Sequence, residues 1–360
     1  MSDARPSLPR SVAVVGTGAL ACLFGGHLQP HVPVTLVGTW REQLQRLQRD
    51  GVVLEELDGT RHSYPVGVAD DPAAVAPADL VLVLVKSPAT HRAAAWARIL
   101  LGPELPTEEP TANGAGGLAL SLQNGWGNLE LLEGAVGARR AAVGTTEHGA
   151  RFIAPGVVRH AGAGTTALAR RPATAGKLEA AARLLEQAGF EPTLTDDGVS
   201  LLWGKLVVNA AINPLTALLD VPNGFLVQDP RARRLLDRAA AEAAAVARAA
   251  GARLPFLKPP NASLDTAGER AAEVCRRTAA NLSSMLQDHR RGAVTEVDTI
   301  TGAVVREGRR RGVATPFNAL LWSLLGGPPV DDENQRAGSE LPEPAMLRDL
   351  LAARSHPRGA

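Results

Sequence analysis

Residues 11–26 read SVAVVGTGALACLFGG: an apolar run, then Gly16-Thr17-Gly18-Ala19-Leu20-Ala21, then a second apolar run of helical composition. A strand that feeds G-x-G-x-x-A and then a helix admits few folds. Gly16 supplies the tight turn, Gly18 lets the backbone approach a pyrophosphate, and Ala21 lets the helix lie close to the strand. The pyrophosphate rests on the N–H groups at the helix start. An incidental glycine turn is the plainer alternative, but it would need neither the strand nor the helix. The segment therefore predicts a dinucleotide-binding fold, with Gly16, Thr17, Gly18, Ala19, Leu20 and Ala21 at the cofactor.

The residues that follow fit that opening. Apolar runs at 12–15, 34–37, 80–85, 118–122, 142–145 and 157–161 alternate with helical runs at 19–28, 41–49, 91–101 and 175–188. Near-continuous apolar strands belong to a sheet buried on both faces, so residues 1–195 are expected to form a Rossmann-type doubly wound parallel sheet of an α/β protein. From Asp196 the β signal gives way to helical runs at 201–219, 232–250, 267–288 and 297–311, an all-helical domain over 196–327. Thr295 and Asp298 read as a capping box at the start of the last run. Residues 328–360 are polar and Pro-rich and are expected to be a flexible or loosely docked tail, and 102–117 a surface loop.

The second strand runs out into Val37, Gly38, Thr39, Trp40 and Arg41, with no acid to accept bonds from an adenosine ribose. A hydroxyl and a guanidinium there suit a 2′-phosphate, which favours NADP(H) as cofactor, read by Thr39 or Arg41. Arg41 is equally suited to be a solvated first-turn residue of the next helix. Lys86, after the run LVLVLV, and Asn124, in Gln123-Asn124-Gly125, follow strand ends where such sheets bind ligands. Each also serves as an ordinary turn residue.

Charge and composition exclude several partners. The 38 basic and 37 acidic residues of the 360 leave a net charge of +1, too little to hold a polyanion, so no nucleic acid is expected. The longest apolar run is far short of a bilayer span, and no membrane is expected either. Two cysteines without framework or metal spacing, and a polar first segment, fit a cytoplasmic protein without a bound metal. His148 and His160 fall in β segments without ligand spacing and read as structural. A homodimer stays open.

Only four basic residues are lysines: Lys86, Lys177, Lys205 and Lys258. Arg keeps its proton in a protein whereas Lys gives it up, so a lysine in an apolar segment of an Arg-rich chain points to proton transfer. Lys205 stands in such a segment, at i, i+4 and i+8 with Asn209 and Asn213 along one helical face. A snorkelling lysine with two backbone-bonded asparagines is the bland alternative. Ser284 and Asp288 share another helical face, and Glu296 reads as a first-turn acid of the next helix. For Ser284, a helix-interior hydroxyl bonded to the preceding turn is the simplest reading.

Taken together these residues resemble the ketopantoate reductase family, the NADPH-dependent 2-dehydropantoate 2-reductases, from about Ser11 to Leu325. The most specific stretches are W-x-K-L-x-x-N-x-x-I-N-P-L-T-A from Trp203, with Pro222-Asn223-Gly224 after it, and Ser283 to Asp288 followed by Thr295-Glu296-Val297-Asp298. The resemblance implies reduction of ketopantoate to pantoate, on the route to pantothenate and coenzyme A, with Lys205 as general acid. It places Asn124, Lys205, Asn209, Asn213, Asn223 and Ser284 at a small 2-keto acid. It places Lys86, Asn124, Ala150 and Glu296 at the cofactor or where its nicotinamide meets the substrate. Many members carry Arg where this chain has Thr39 and Trp40. Another 2-keto acid as substrate, or a nucleotide-binding sensor without turnover, are the competing readings.

Overall fold

The computed structural model describes residues 6–103, 117–254, 265–331, 334, 337–338 and 341–355. Most of the 102–117 loop and part of the 328–360 tail lie outside the described residues. Two compact units emerge. One takes the chain up to Gln123 and then Gly127–Gly198, and the other takes Asn124–Trp126 and everything described from Val199 onward.

The first unit holds β1 (Val12–Val15), α1 (Ala19–Leu28), β2 (Val34–Val37), α2 (Arg41–Asp50), β3 (Val52–Glu55), β4 (Arg61–Tyr64), β5 (Gly67–Ala69) and β6 (Leu80–Val83). It continues with α3 (Thr90–Leu101), β7 (Leu118–Ser121), α4 (Asn128–Val136), β8 (Ala141–Thr146), β9 (Gly149–Ala154), β10 (Val157–Gly162), β11 (Thr166–Ala169), α5 (Ala175–Gln187) and β12 (Pro192–Thr195). An eight-stranded sheet runs in the order β12-β11-β8-β7-β6-β1-β2-β5. Its strands from β5 to β8 are parallel, as the apolar runs predict, but β11 returns antiparallel to β8. Alternate residues serve opposite faces. Val12, Val14, Leu80 and Leu82 join the core with α1 and α5, while Ala13, Val15, Val81 and Val83 join the core with α3 and α4.

A second sheet, β4-β3-β10-β9, covers the outer side of α1. It explains a helix that is apolar all round, since α1 is buried between two layers. Gly26 suits that arrangement: a Cβ there would stand 2.8 Å from a methyl of Leu54 on β3, which would have to shift.

The second unit is helical among its described residues: α6 (Gly198–Leu219), α7 (Phe225–Gln228), α8 (Pro230–Ala249), α9 (Asp265–Arg277), α10 (Ser284–Arg290), α11 (Thr301–Arg311) and α12 (Pro316–Leu324). Trp203, Leu206, Val207, Ala210 and Ala211 of α6 are buried among side chains of α8, α9 and α11. By length and composition α6 alone among the described helices could cross a membrane, and 61% of its apolar window is buried inside the protein.

Three expectations are corrected here. The run 267–288 is two helices rather than one, because residues 279 and 281 turn their carbonyls to the Gly224 and Asn223 N–H groups, 3.0 Å each, in place of helical bonds. The helix expected from 297 begins at Thr301. Asp298 is drawn from the capping box to accept from the Trp322 indole at 2.7 Å, and residues 297–300 form turns. Finally, residues 343–355 are no loose tail. Glu343–Ser355 is a helix whose Leu347 and Leu350 are buried in the core of the second unit, an apolar pair that the surrounding prolines and charges mask.

Candidate active site

The nucleotide half of the site is built by the first unit. Gly16 follows β1 with φ +131°, and a Cβ there would lie 2.9 Å from the Leu84 carbonyl, so the turn after β1 requires glycine. Gly18 caps α1 with no side chain on the helix N–H groups, and nothing lies within 4 Å of where its Cβ would be. Such an open, uncapped turn fits a pyrophosphate. Ala19 and Leu20 are half-buried in the first turn of α1, and Ala21 is fully buried against the sheet. Thr17 is buried, its carbonyl held by Gln43 Nε2 at 3.1 Å. A cleft beside this turn is lined by Gly16, Thr17, Gly38, Thr39, Trp40 and Arg92, among others. Thr39 and Arg41 are exposed at the end of β2 and the start of α2; Glu42 follows Arg41 in the first turn, but among the described residues no acid is bonded to either side chain.

Lys86 is exposed just beyond β6, which is parallel to β1, so it shares the carboxyl edge of the sheet with the glycine turn. The loop that carries it is held by Gln123, whose Nε2 donates to Val85 O at 3.0 Å and Thr90 Oγ1 at 2.8 Å. Thr90 in turn donates to Asn128 Oδ1 at 3.0 Å. Ala150 is half-buried on β9, in the second sheet and not at the edge of the first.

The second unit gathers the other candidates. Lys205 and Asn209 are half-buried on α6 and Asn213 is buried, one stripe on a helix whose other faces are apolar. Among the described residues the Asn209, Asn213 and Ser284 side chains have no hydrogen-bond partner within the protein. Ser284 is the first residue of α10 and not helix-interior, so it makes no bond to a preceding turn. Asn223 is buried, donates from Nδ2 to Thr278 Oγ1 at 2.9 Å, and leaves Oδ1 buried without a partner. Buried amides left open in this way are costly unless something outside the protein completes them. Asn124 is grouped with this unit although it follows β7, and its Nδ2 donates to Glu296 Oε2 at 3.2 Å. Glu296 is buried ahead of the turns that precede α11, so it is not the first-turn helix acid that its sequence position suggests.

The sequence singled out neither Arg92 nor Trp96, which stand at i and i+4 on α3 in the run THRAAAWARILL. Two large polar-capable side chains in an alanine helix were the available signal. His148 and His160 also prove to be neighbours: His148 Nδ1 is 3.2 Å from His160 Nε2, His160 Nδ1 is 3.5 Å from Glu56, and His27 Nε2 is 3.1 Å from Glu56. Ligand-type atoms of His27, Glu56 and His160 lie within 4.8 Å of one another. Burial, aided by the neighbouring His160, lowers the His148 pKa from 6.5 to about 4, which keeps that imidazole neutral.

The glycine turn on a parallel sheet and the polar stripe of an apolar helix are the features of a Rossmann-type oxidoreductase with a helical second unit. Residues 12–173 match the family model described as ketopantoate reductase PanE/ApbA, and residues 199–328 match its C-terminal counterpart. The chain belongs to the ketopantoate reductase family. It is 41% identical over 316 residues to a 2-dehydropantoate 2-reductase of Halobacterium salinarum, covering 87% of this chain and 97% of that protein. It resembles the crystal structure of a PanE/ApbA family ketopantoate reductase from Ralstonia eutropha with a TM-score of 0.75 at 28% identity, over 96% of this chain and 100% of that one. It shares its fold with a D-mandelate dehydrogenase solved with NADH and anilino(oxo)acetate, TM-score 0.76 at 22% identity, over 94% of this chain and 99% of that one.

Proposed function

We propose that this chain reduces 2-dehydropantoate to pantoate with NADPH. The observation that carries the reading is the second unit's set of unspent polar groups, the Asn209 and Asn213 side chains on the α6 stripe with Lys205, the Ser284 side chain and the buried Asn223 Oδ1, in a member of this family. NADPH supplies the hydride that the keto carbon receives. Gly16, Thr17, Gly18, Ala19, Leu20 and Ala21 bind its pyrophosphate through backbone N–H groups at the start of α1. Lys86, Asn124, Glu296 and, on the family resemblance alone, Ala150 border it, and Thr39 and Arg41 offer a hydroxyl and a guanidinium to its phosphorylated ribose. The Asn209, Asn213, Asn223 and Ser284 side chains orient the keto acid.

Lys205 is the general acid. Its ammonium Nζ stabilises negative charge as it develops on the keto oxygen, then gives that oxygen its proton, and the neutral amine is recharged from water. The free thiols Cys22 and Cys275, both buried, suit work in a reducing cytoplasm. Substitution of Lys205 separates charge from proton transfer. Lys205→Ala is expected to lower kcat by about 10²- to 10⁴-fold with NADPH affinity retained. Lys205→Arg keeps the charge but holds its proton, so a loss approaching that of Ala is expected. Near-normal turnover by Lys205→Arg would remove the proton-donor role.

A further inference from the structure

The cleft beside the glycine turn has a wall formed by α3. Arg92 and Trp96, one helical turn apart, line it together with Thr39 and Trp40 at the end of β2. The Arg92 guanidinium carbon stands over the Trp96 ring, 5.6 Å from its centre. A guanidinium held this way spends its face on the indole and keeps its N–H edge in plane, free to fork onto an oxyanion. Arg92 is exposed, and among the described residues no carboxylate pairs with it. An arginine that is oriented by an aromatic ring, lines a cleft and lacks an acid is arranged for an anion from outside the protein.

The position in the cleft says which anion. The pyrophosphate belongs at Gly16–Gly18 and the N-terminus of α1, whereas residues just past β2 mark the ribose end of a bound dinucleotide. Arg92 shares the cleft with those residues. β2 itself runs out into Gly38, Thr39 and Trp40 and brings no cation until Arg41, which opens α2. We infer that Arg92 binds the 2′-phosphate of 2′-phosphorylated adenosine nucleotides, with Trp96 holding its guanidinium in position. α3 thus adds an anion-reading cation across the cleft from the strand end that carries Thr39 and Arg41. This inference rests on the NADPH reading above and names a further residue that favours the phosphorylated cofactor.

Binding measurements test it without turnover. Calorimetric titrations of NADPH, NADH, 2′,5′-ADP and 5′-ADP into the wild-type protein and into Arg92→Ala and Arg92→Lys would be compared. Melting curves would establish that each variant is folded. Arg92→Ala is expected to weaken NADPH and 2′,5′-ADP by about ten- to a hundredfold, the range for losing a bond to a charged group, and to leave NADH and 5′-ADP within about twofold. Arg92→Lys, which keeps the charge and loses the fork, should fall between wild type and Ala for the phosphorylated pair. Equal weakening of all four ligands, or undiminished binding of the phosphorylated pair, would overturn the assignment. Wild-type protein that binds NADPH tightly while Arg92→Ala keeps its preference would overturn this inference alone. Wild-type protein that binds no nicotinamide nucleotide would overturn the NADPH reading together with it.

Discussion

Ser283 Oγ accepts from the Leu286 N–H at 3.1 Å and from Thr216 Oγ1 at 2.7 Å, whereas among the described residues the adjoining Ser284 hydroxyl has no partner. The first serine ties α10 to α6 and caps it, and the proposed function gives the second to the keto acid. Ser284→Ala is therefore expected to raise KM for the keto acid by about tenfold, one charge-assisted hydrogen bond, with KM for NADPH unchanged. Steady-state rates with each substrate varied in turn would measure this, and an unchanged keto-acid KM would remove Ser284 from the site. Ser283→Ala should instead cost about 1 kcal/mol of stability through the lost cap. Sequence marked the pair S-S-M-L-Q-D as a unit but could not divide the labour between the two hydroxyls, since that depends on where α10 begins. Lys205, Asn209 and Asn213 were legible because helical periodicity alone puts them on one stripe. Arg92 was not, because its meaning depends on Trp96 beneath it and on Thr39 and Trp40, more than fifty residues earlier, lining the same cleft.

At the scale of elements, strands that are apolar on both faces and the helix α1 were readable because every residue in them answers to burial. Strands β3, β4 and β9 escaped notice because they form a small sheet with polar outer positions, such as the exposed Arg61, His62 and Ser63. Their alternation is too short to stand out from loop composition. Helix α12 was missed for a different reason: its start depends on a side chain from α8. The buried carboxylate of Glu242 accepts from the N–H groups of Phe317 and Asn318 at 3.0 and 2.9 Å, from Asn318 Nδ2 at 2.9 Å, and from Arg238 at 3.1 Å. Burial raises its pKa, and the bonds from Asn318 and Phe317 pull it back. Glu242→Ala leaves those donors buried without an acceptor and is expected to cost about 3 kcal/mol. Urea denaturation should show a lower midpoint with an unchanged slope, and an unshifted midpoint would show that Glu242 does not anchor α12.

For the whole molecule, the near-balance of charge and the two-unit organisation matter more than any single side chain. With a net charge of +1 there is no broad field to draw in an anionic substrate, so the proposed function leaves selection among keto acids to local polar groups such as those on α6 and α10. The chain spans 97% of its Halobacterium salinarum relative, and both halves of the family pattern are present in it. The division into a nucleotide unit and a helical unit was legible from the change in hydrophobic period near residue 196. The passage of Asn124–Trp126 into the helical unit was not, because those residues follow a strand and read as its turn. NADPH oxidation by purified protein across a panel of 2-keto acids, with pantoate identified as product, tests the choice of substrate and cofactor together. Ketopantoate is expected to give the highest kcat/KM, and NADPH to be preferred over NADH with that substrate. Turnover of another 2-keto acid with higher kcat/KM, or none with any of them despite tight NADPH binding, would show that ketopantoate reduction is not its activity.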